Sequence, residues 1–359
     1  FDYEKKACLA PMVRVGTLPF RLLAQDYGAD ILYTEEIIDK KLLQCERQYN
    51  TELNTLELVL KKQGHIETVY QTDVKKEYKP VILQIGTASA EYALKTAIHC
   101  DGLYDGLDIN MGCPKHFSVS GGMGAALLKK PEVVKDILTT LKRNIKKPIS
   151  CKIRLFTEDK PMIDFVKMIE STGVDALAIH GRTRDMRPKE PALVDRVKFI
   201  ASHVNCPTIY NGDIYEYKDI EQKRIESGCN SVMVARGALY NVSIFQEDMK
   251  DPIVVTKEYL TKCRKYKIKL PYVGYALRRM YELSTKSYPF TELLGVRHMD
   301  VYDDIFSPNY EERKAKGDIV DRSLGRRKKN VPKKKKMMNF DVPHVIKLKD
   351  ANNEQVSSI

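Results

Sequence analysis

Eight short apolar segments, rich in β-branched residues, recur along roughly the first 240 residues of the chain. Amphipathic segments with helical spacing lie between most of them, for example 91–100, 131–145 and 164–173. The apolar segments are 7–12 (ACLAPM), 30–37 (DILYTEEI), 80–86 (PVILQIG), 106–112 (GLDINMG), 148–155 (PISCKIRL), 176–182 (ALAIHGR), 207–213 (PTIYNGD) and 231–237 (SVMVARG). Strands that alternate with helices form parallel sheets. Eight such units predict an α/β fold, a closed (β/α)8 TIM barrel, with an open doubly wound sheet as the alternative.

The alternating pattern divides the chain into three predicted regions. Residues 1–249 contain the barrel units, with a polar, lysine-rich insertion at 53–79 after the second unit. Residues 250–313 have no strand pattern, and helices are expected at 255–266 and 272–284. Residues 314–359 are basic and hydrophilic, which is typical of a disordered linker or tail.

The net charge of +12 is concentrated in one short segment. Residues 322–336 (RSLGRRKKNVPKKKK) contain nine Lys or Arg and no acidic residue. Such a run is typical of a solvated tail, of a nuclear-import signal or of an arm that binds nucleic-acid phosphates. Eight scattered cysteines without a CxxC pair indicate a reducing compartment and no metal site. We expect a cytoplasmic protein, with the nucleus as a second location, and no segment is apolar enough to span a membrane.

Polar residues interrupt the predicted strands near their carboxyl ends, where strands of a parallel barrel should be apolar. A single such residue would be typical of a paired core charge. Five strands that share the feature predict a site for an anionic or polar ligand at the rim where barrels place active sites. The residues are Gln84 and four pairs spaced two apart, which places each pair on one face: Asp108 with Asn110, Lys152 with Arg154, His180 with Arg182, and Asn211 with Asp213.

These strand ends also indicate the class of ligand. Residues 211–213 (NGD) and 235–237 (ARG) follow the seventh and eighth strands, where barrels bind phosphate. Lys152 offers an ammonium for a heterocycle or a phosphate, and the backbone of 10–12 (APM) suits a flat ring. No GxGxxG follows a strand. Flavin mononucleotide (FMN) therefore fits better than a dinucleotide.

Cys113 follows the fourth strand on a loop that Gly121, Gly122 and Gly124 allow to move. One interpretation is a buried small residue. The other is a thiol that exchanges a proton or acts as a nucleophile, activated by the neighbouring Lys115 and His116.

Seven motifs follow one another along the chain: APMVRVGTLPFR, LQIG, INMGCPK with SGGMGAALL, CKIR, IHGRTR, NGD and MVARG. In this order and spacing they closely resemble the tRNA-dihydrouridine synthases. The resemblance is strong over 7–245, looser to about 306, and greatest to the eukaryotic type-2 enzymes, which act on uridine 20 of the tRNA D-loop. Animal type-2 enzymes continue with a double-stranded-RNA-binding domain, which here is either absent or beyond the end of a fragment.

The resemblance implies an FMN enzyme that NADPH reduces and that then reduces the C5=C6 bond of a uridine in tRNA. Hydride would pass from flavin N5 to C6, and Cys113 would donate the proton to C5. Asn110, Arg154 and Arg182 would lie near the uracil or the flavin, and residues 250–313 would contact tRNA. The implied FMN-binding residues are Pro11, Met12, Val13, Gln84, Lys152, His180, Asn211, Gly212, Asp213, Ala235 and Arg236.

Two other functions remain compatible with the sequence. An FMN-dependent dihydropyrimidine or dihydroorotate dehydrogenase would share the cofactor site, but would not need the basic tail. A catalytically inactive barrel that only binds tRNA would need neither Cys113 nor Lys152. The sequence leaves the oligomeric state open.

Overall fold

Eight parallel strands close into a ring in the computed structural model, which describes residues 1–62, 64–284 and 291–316. Each strand pairs with the next along the chain, and the last pairs with the first through Ala7 and Val232. The predicted TIM barrel is confirmed, and the open sheet is excluded. The strands are β1 (Ala7–Leu9), β2 (Ile31–Tyr33), β3 (Val81–Gly86), β4 (Gly106–Asn110), β5 (Ile149–Leu155), β6 (Ala176–Thr183), β7 (Thr208–Asn211) and β8 (Ser231–Val234).

Helices cover the outside of the barrel because each has one apolar face. In Pro131–Asn144, for instance, the buried Val134, Ile137, Leu138 and Leu141 follow helical spacing. The helices are α1 (Leu18–Asp26), α2 (Asp39–Leu42), α3 (Ala90–His99), α4 (His116–Ser120), α5 (Pro131–Asn144), α6 (Asp159–Ser171), α7 (Val194–Ala201), α8 (Tyr217–Ser227), α9 (Arg236–Tyr240), α10 (Pro252–Lys265), α11 (Leu270–Met280), α12 (Met299–Ile305) and α13 (Tyr310–Ala315). Short 3₁₀ turns occupy Gly124–Lys129, Val242–Phe245 and Glu282–Ser284.

The insertion after the second unit is a folded sheet rather than a polar loop. It starts earlier than predicted and consists of three antiparallel strands, Glu46–Asn50, Thr55–Lys62 and His65–Thr72. A buried ion pair anchors the segment that follows it, because Arg21 Nε lies 2.7 Å from the Glu77 carboxylate. A two-residue strand before the insertion, Ile37–Ile38, adds to the edge of β3.

The helical region begins close to the predicted boundary. Helices α10 and α11 match the expected segments, although α11 ends earlier and is followed by a 3₁₀ turn. Helix α10 packs on the barrel, where the rings of Tyr259 and Phe20 meet edge to face at 6.0 Å. The basic run at 322–336 lies outside the described residues. Within the described ranges, every helix is too short or too polar to span a bilayer.

Candidate active site

A chain of buried polar side chains crosses the barrel interior below the carboxyl ends of β3, β4 and β5. Ser150 donates to Asp108 Oδ1 at 2.6 Å, and Gln84 donates to Asp108 Oδ2 at 2.8 Å. Asn110 in turn donates to Gln84 Oε1 at 2.9 Å. Burial raises the pKa of Asp108 to about 6, while these two hydrogen bonds to its oxygens act in the opposite direction. This series of hydrogen bonds ends at Asn110 and so fixes the orientation of the Asn110 amide.

Asn110 positions the backbone of the cysteine loop. Its Oδ1 accepts hydrogen bonds from the backbone N–H of Gly112 at 3.1 Å and of Cys113 at 2.9 Å. Arg154 supports the same loop from β5, since its Nε donates to the Gly112 carbonyl at 2.7 Å. Asn110 and Arg154 therefore hold Cys113 in place through the backbone.

Gly124 allows the second half of the loop to pack against Cys113. Its φ of +57° lies in the left-handed region. A Cβ atom there would lie 2.3 Å from Ser118 Oγ and 2.6 Å from the Cys113 carbonyl oxygen. No side chain fits at that distance. The glycine-rich segment is thus needed for close packing around the thiol.

Cys113 is half-buried, and its thiol is protonated at neutral pH. Burial raises the pKa of the thiol to about 11, and the neighbouring Glu36 carboxylate contributes in the same direction. The side chains of Lys115 and His116 are exposed, and of these two residues Lys115 lowers this pKa only through its backbone N–H, so the predicted activation of the thiol does not occur. A protonated thiol suits a proton donor better than a nucleophile.

A cavity of about 520 Å³ opens beside Cys113 at the carboxyl ends of β5 to β8. The loop residues Pro114 and Lys115 form part of its wall, and Asp213 is the only acidic residue that lines it within the described part of the chain. A cavity with this charge favours an anionic ligand. Its six cationic lining residues are Lys115, Arg154, Arg182, Arg184, Arg187 and Arg236.

Two groups at this end of the barrel have no protein partner. Neither Lys152 nor His180 forms a hydrogen bond or ion pair with any residue that the structure describes. Burial lowers the pKa of Lys152 to about 7, and the charge of Arg154 acts in the same direction. Burial also lowers the pKa of His180 well below its ordinary value, followed by the charges of Lys152 and the nearby arginines. Buried polar groups are normally paired, so both residues are candidates for ligand contact.

Asp213 organises the opposite wall of the cavity. It accepts a hydrogen bond from the Ala192 backbone at 2.7 Å, and Arg182 and Arg236 lie 2.6 Å and 2.7 Å from its carboxylate. These cations hold the pKa of Asp213 below its ordinary value despite burial. The guanidinium of Arg236 also lies over the ring of Tyr215 at 5.3 Å. Arg182 is 4% exposed, so its contacts are within the protein.

The structure brings the predicted site residues to one end of the barrel, but gives them different surroundings. Pro11, Met12 and Val13 follow β1, and the register places Gln84 of β3 opposite Asp108 and Asn110 of β4 opposite Lys152. The register pairs Arg154 with His180 and His180 with Asn211 across the next strands. The predicted residues that line the cavity are Arg154, His180, Arg182, Asn211, Gly212, Asp213, Ala235 and Arg236.

Glu36, Arg184 and Arg187 belong to this region and were not predicted. Glu36 lies just past β2, and its position at a strand end is the signal that the sequence offered. The two arginines lie in the exposed loop after β6. In the described ranges, no three His, Cys, Asp or Glu side chains come together as a metal site.

Comparison with known proteins identifies the family of this chain. A family model described as "Dihydrouridine synthase (Dus)" matches residues 8–302. The tRNA-dihydrouridine(20) synthase (NAD(P)+) of Saccharomyces cerevisiae is 36% identical over 297 residues, which are 77% of each chain. The Schizosaccharomyces pombe protein of the same name is 38% identical over 270 residues, which are 72% of this chain and 56% of that one.

A third relative bears a different positional name. The human tRNA-dihydrouridine(20a/20b) synthase (NAD(P)+)-like protein is 32% identical over 251 residues, which are 69% of this chain and 73% of that one. This chain thus spans most of the budding yeast and human relatives, and little more than half of the fission yeast relative. Because the family model extends over most of its length, this chain belongs to the dihydrouridine synthase family.

Proposed function

We propose that this protein is a tRNA-dihydrouridine synthase that reduces uridine 20 of the D-loop with electrons from NADPH through bound FMN. The observation that carries the proposal is a protonated cysteine beside a cation-lined cavity. At the same end of the barrel are a lysine and a histidine that have no partner among the described residues. The two yeast relatives named for position 20 have higher identity to this chain than the human relative named for 20a/20b. That difference supports the choice of position.

The residues of the cavity fit FMN, a flat ring that carries a phosphate. Gly212, Ala235 and Arg236 would hold the phosphate, because they combine exposed backbone at strand ends with a guanidinium. Lys152 and His180 would contact the ring, together with Gln84 and the backbone of Pro11, Met12 and Val13. The side chain of Asn211 is already oriented for a contact with the ring, because its Nδ2 donates to the Met233 carbonyl at 2.8 Å. When bound, the flavin supplies hydride chemistry.

The protein supplies the proton and the placement of the base. Cys113 would give its thiol proton to C5 of the uracil as general acid. Asn110 and Arg154 would keep the thiol at the mouth of the cavity through their bonds to the loop backbone. A uracil stacked in folded RNA cannot reach this depth, so the base would have to be extruded. Arg184 and Arg187, exposed at the mouth, would meet the phosphates of the RNA.

An anaerobic absorbance experiment tests the function directly. The protein, reconstituted with FMN, should show flavin bands that NADPH bleaches and that unmodified tRNA restores, with dihydrouridine formed in the RNA. Free uridine and dihydroorotate serve as controls. Restoration by a free pyrimidine instead of tRNA would indicate a dehydrogenase of small substrates. A protein that binds tRNA but retains no flavin would indicate an inactive barrel.

The basic run offers a separate test of tRNA binding. Removal of the residues after Ser323 deletes eight of the nine cations of this run. We expect weaker tRNA binding, with the largest loss at low salt, because clustered cations release counterions from the phosphate backbone. Titration of the protein with tRNA at several salt concentrations gives the slope of log affinity against log salt concentration. An unchanged slope would show that the run makes no phosphate contact.

A further inference from the structure

Glu36 is a buried acid at the active-site end of the barrel that the proposed chemistry does not yet use. It is 8% exposed and lies in the segment that follows β2. Gly86 leaves room for its carboxylate, because a Cβ atom at that glycine would lie 2.7 Å from Glu36 Oε1. A buried carboxylate is costly unless something compensates for lost hydration. The groups in contact with the Glu36 carboxylate therefore indicate its role.

Ser118 holds one oxygen of this carboxylate and leaves the other free. The Ser118 hydroxyl donates to Glu36 Oε1 at 3.1 Å from helix α4 of the cysteine loop. Glu36 Oε2 is buried and has no hydrogen-bond partner among the described residues. Ser118 Oγ and Cys113 Cβ both border the space beside Gly124, and the thiol is close enough to Glu36 that the two groups influence each other's ionisation. Glu36 Oε2 is therefore an unused hydrogen-bond acceptor, and the protonated thiol of Cys113 is a donor near it.

Charged groups from three sides surround the thiol. Glu36 approaches from the β2 end, while Lys152 and Arg154 approach from β5. The exposed Lys115 and His116 neighbour it in sequence. The cations on β5 favour a thiolate, and Glu36 opposes them. Burial and Glu36 prevail, because the pKa of the thiol is raised to about 11.

We propose that Glu36 is the positioning residue of Cys113, whose carboxylate keeps the thiol protonated and oriented as the proton donor. This inference rests on the proposed function for its role in turnover. Transfer of the proton from sulfur to C5 of the uracil forms a C–H bond and leaves a thiolate. That thiolate lies beside the Glu36 carboxylate. Repulsion between the two negative charges favours return of a proton from water to the sulfur. Glu36 thereby resets the donor after each turnover.

The test is the rate at which iodoacetamide alkylates Cys113 in the purified protein, followed by mass spectrometry of its peptide. In Glu36→Gln the carboxylate charge is lost, so the thiolate fraction at pH 8 should rise. Each unit of pKa gives tenfold more thiolate of roughly threefold lower reactivity, so alkylation should accelerate about threefold or more. The alkylation rate of Glu36→Asp should lie between the rates of the parent protein and of Glu36→Gln. Ser118→Ala removes a hydroxyl that bonds to the carboxylate and that also lowers the pKa of the thiol, so alkylation should become slower while the carboxylate charge remains.

Glu35→Gln is the matched control. Glu35 is adjacent to Glu36 in sequence, but its carboxylate accepts a hydrogen bond from the backbone N–H of Arg14. Its alkylation rate should equal that of the parent protein. The pH profile of dihydrouridine formation gives a second readout, since the alkaline limb should move to lower pH in Glu36→Gln. Unchanged alkylation in both Glu36→Gln and Ser118→Ala would overturn the inference. Faster alkylation in a protein that forms no dihydrouridine would support the coupling while rejecting the proposed function.

Discussion

Replacement of Cys113 with alanine should leave a yellow protein that NADPH still reduces but that forms almost no dihydrouridine. General acid catalysis contributes roughly 10²- to 10⁴-fold to rate, and we expect a loss of that order in single turnover on tRNA. Binding of the flavin should persist, because the proposed role of Cys113 is to protonate the uracil and the substitution leaves the proposed FMN-binding residues in place. The measurement is rapid mixing of NADPH-reduced enzyme with unmodified tRNA, followed by quantification of dihydrouridine.

Cys206→Ala provides the control for Cys113→Ala. Cys206 is the other free cysteine that is not fully buried. Its pKa is also raised to about 11, primarily by burial, so the two thiols match in exposure and ionisation. The control should retain full activity. Normal product formation by Cys113→Ala would show that the proton comes from elsewhere.

The Lys152→Ala variant should purify largely without flavin. Lys152 has no partner in the described part of the chain, and its charge would be satisfied by the ring or phosphate of FMN. Hydrogen bonds to charged groups contribute about 1.5–3 kcal/mol, so we expect flavin affinity to fall roughly 10- to 100-fold. The flavin-to-protein absorbance ratio and titration of the apoprotein with FMN measure the change. Lys152→Met separates loss of charge from loss of volume.

The pKa of Lys152 also predicts how flavin binding depends on pH. Burial lowers this pKa to about 7 in the unliganded protein, and an anionic or electron-rich ligand would raise it again. Binding then takes up a proton, so affinity should decrease as pH rises above about 7 in the parent protein and not in Lys152→Met. Lys160→Ala is the control, since that lysine is 90% exposed on α6. A fully yellow Lys152→Ala protein would contradict the assignment.

The positions of the barrel strands could be predicted because their signal is local. A segment such as 80–86 is apolar apart from Gln84, and the structure buries each of its six strand residues, Val81–Gly86. The insertion was missed as a sheet because its strands alternate weakly and contain many polar residues. Its folding depends on distant partners, chiefly the buried pair of Arg21 and Glu77. Such long-range pairing leaves little trace in a sequence window.

The location of the site could be predicted, but the contacts within it could not. Period-2 polar pairs place Arg182 and Asp213 at the same rim, yet both look like ligand contacts in sequence. The structure joins them to each other at 2.6 Å. Glu36 and Cys113 follow strands that are far apart along the chain, and the pairing of both β2 and β4 with β3 brings them together. Which polar residues face each other depends on the register and radius of the ring.

Closure of the barrel also affects the order in which the protein can assemble during synthesis. Strand β1 leaves the ribosome first, but one of its two neighbours is β8, where Ala7 pairs with Val232. One edge of β1 therefore stays unpaired until almost the whole barrel has been translated. The cavity walls of β5 to β8 and the residues after β1 come together only at that late point. The cavity is incomplete before the eighth strand emerges, so the proposed flavin would bind only after that point.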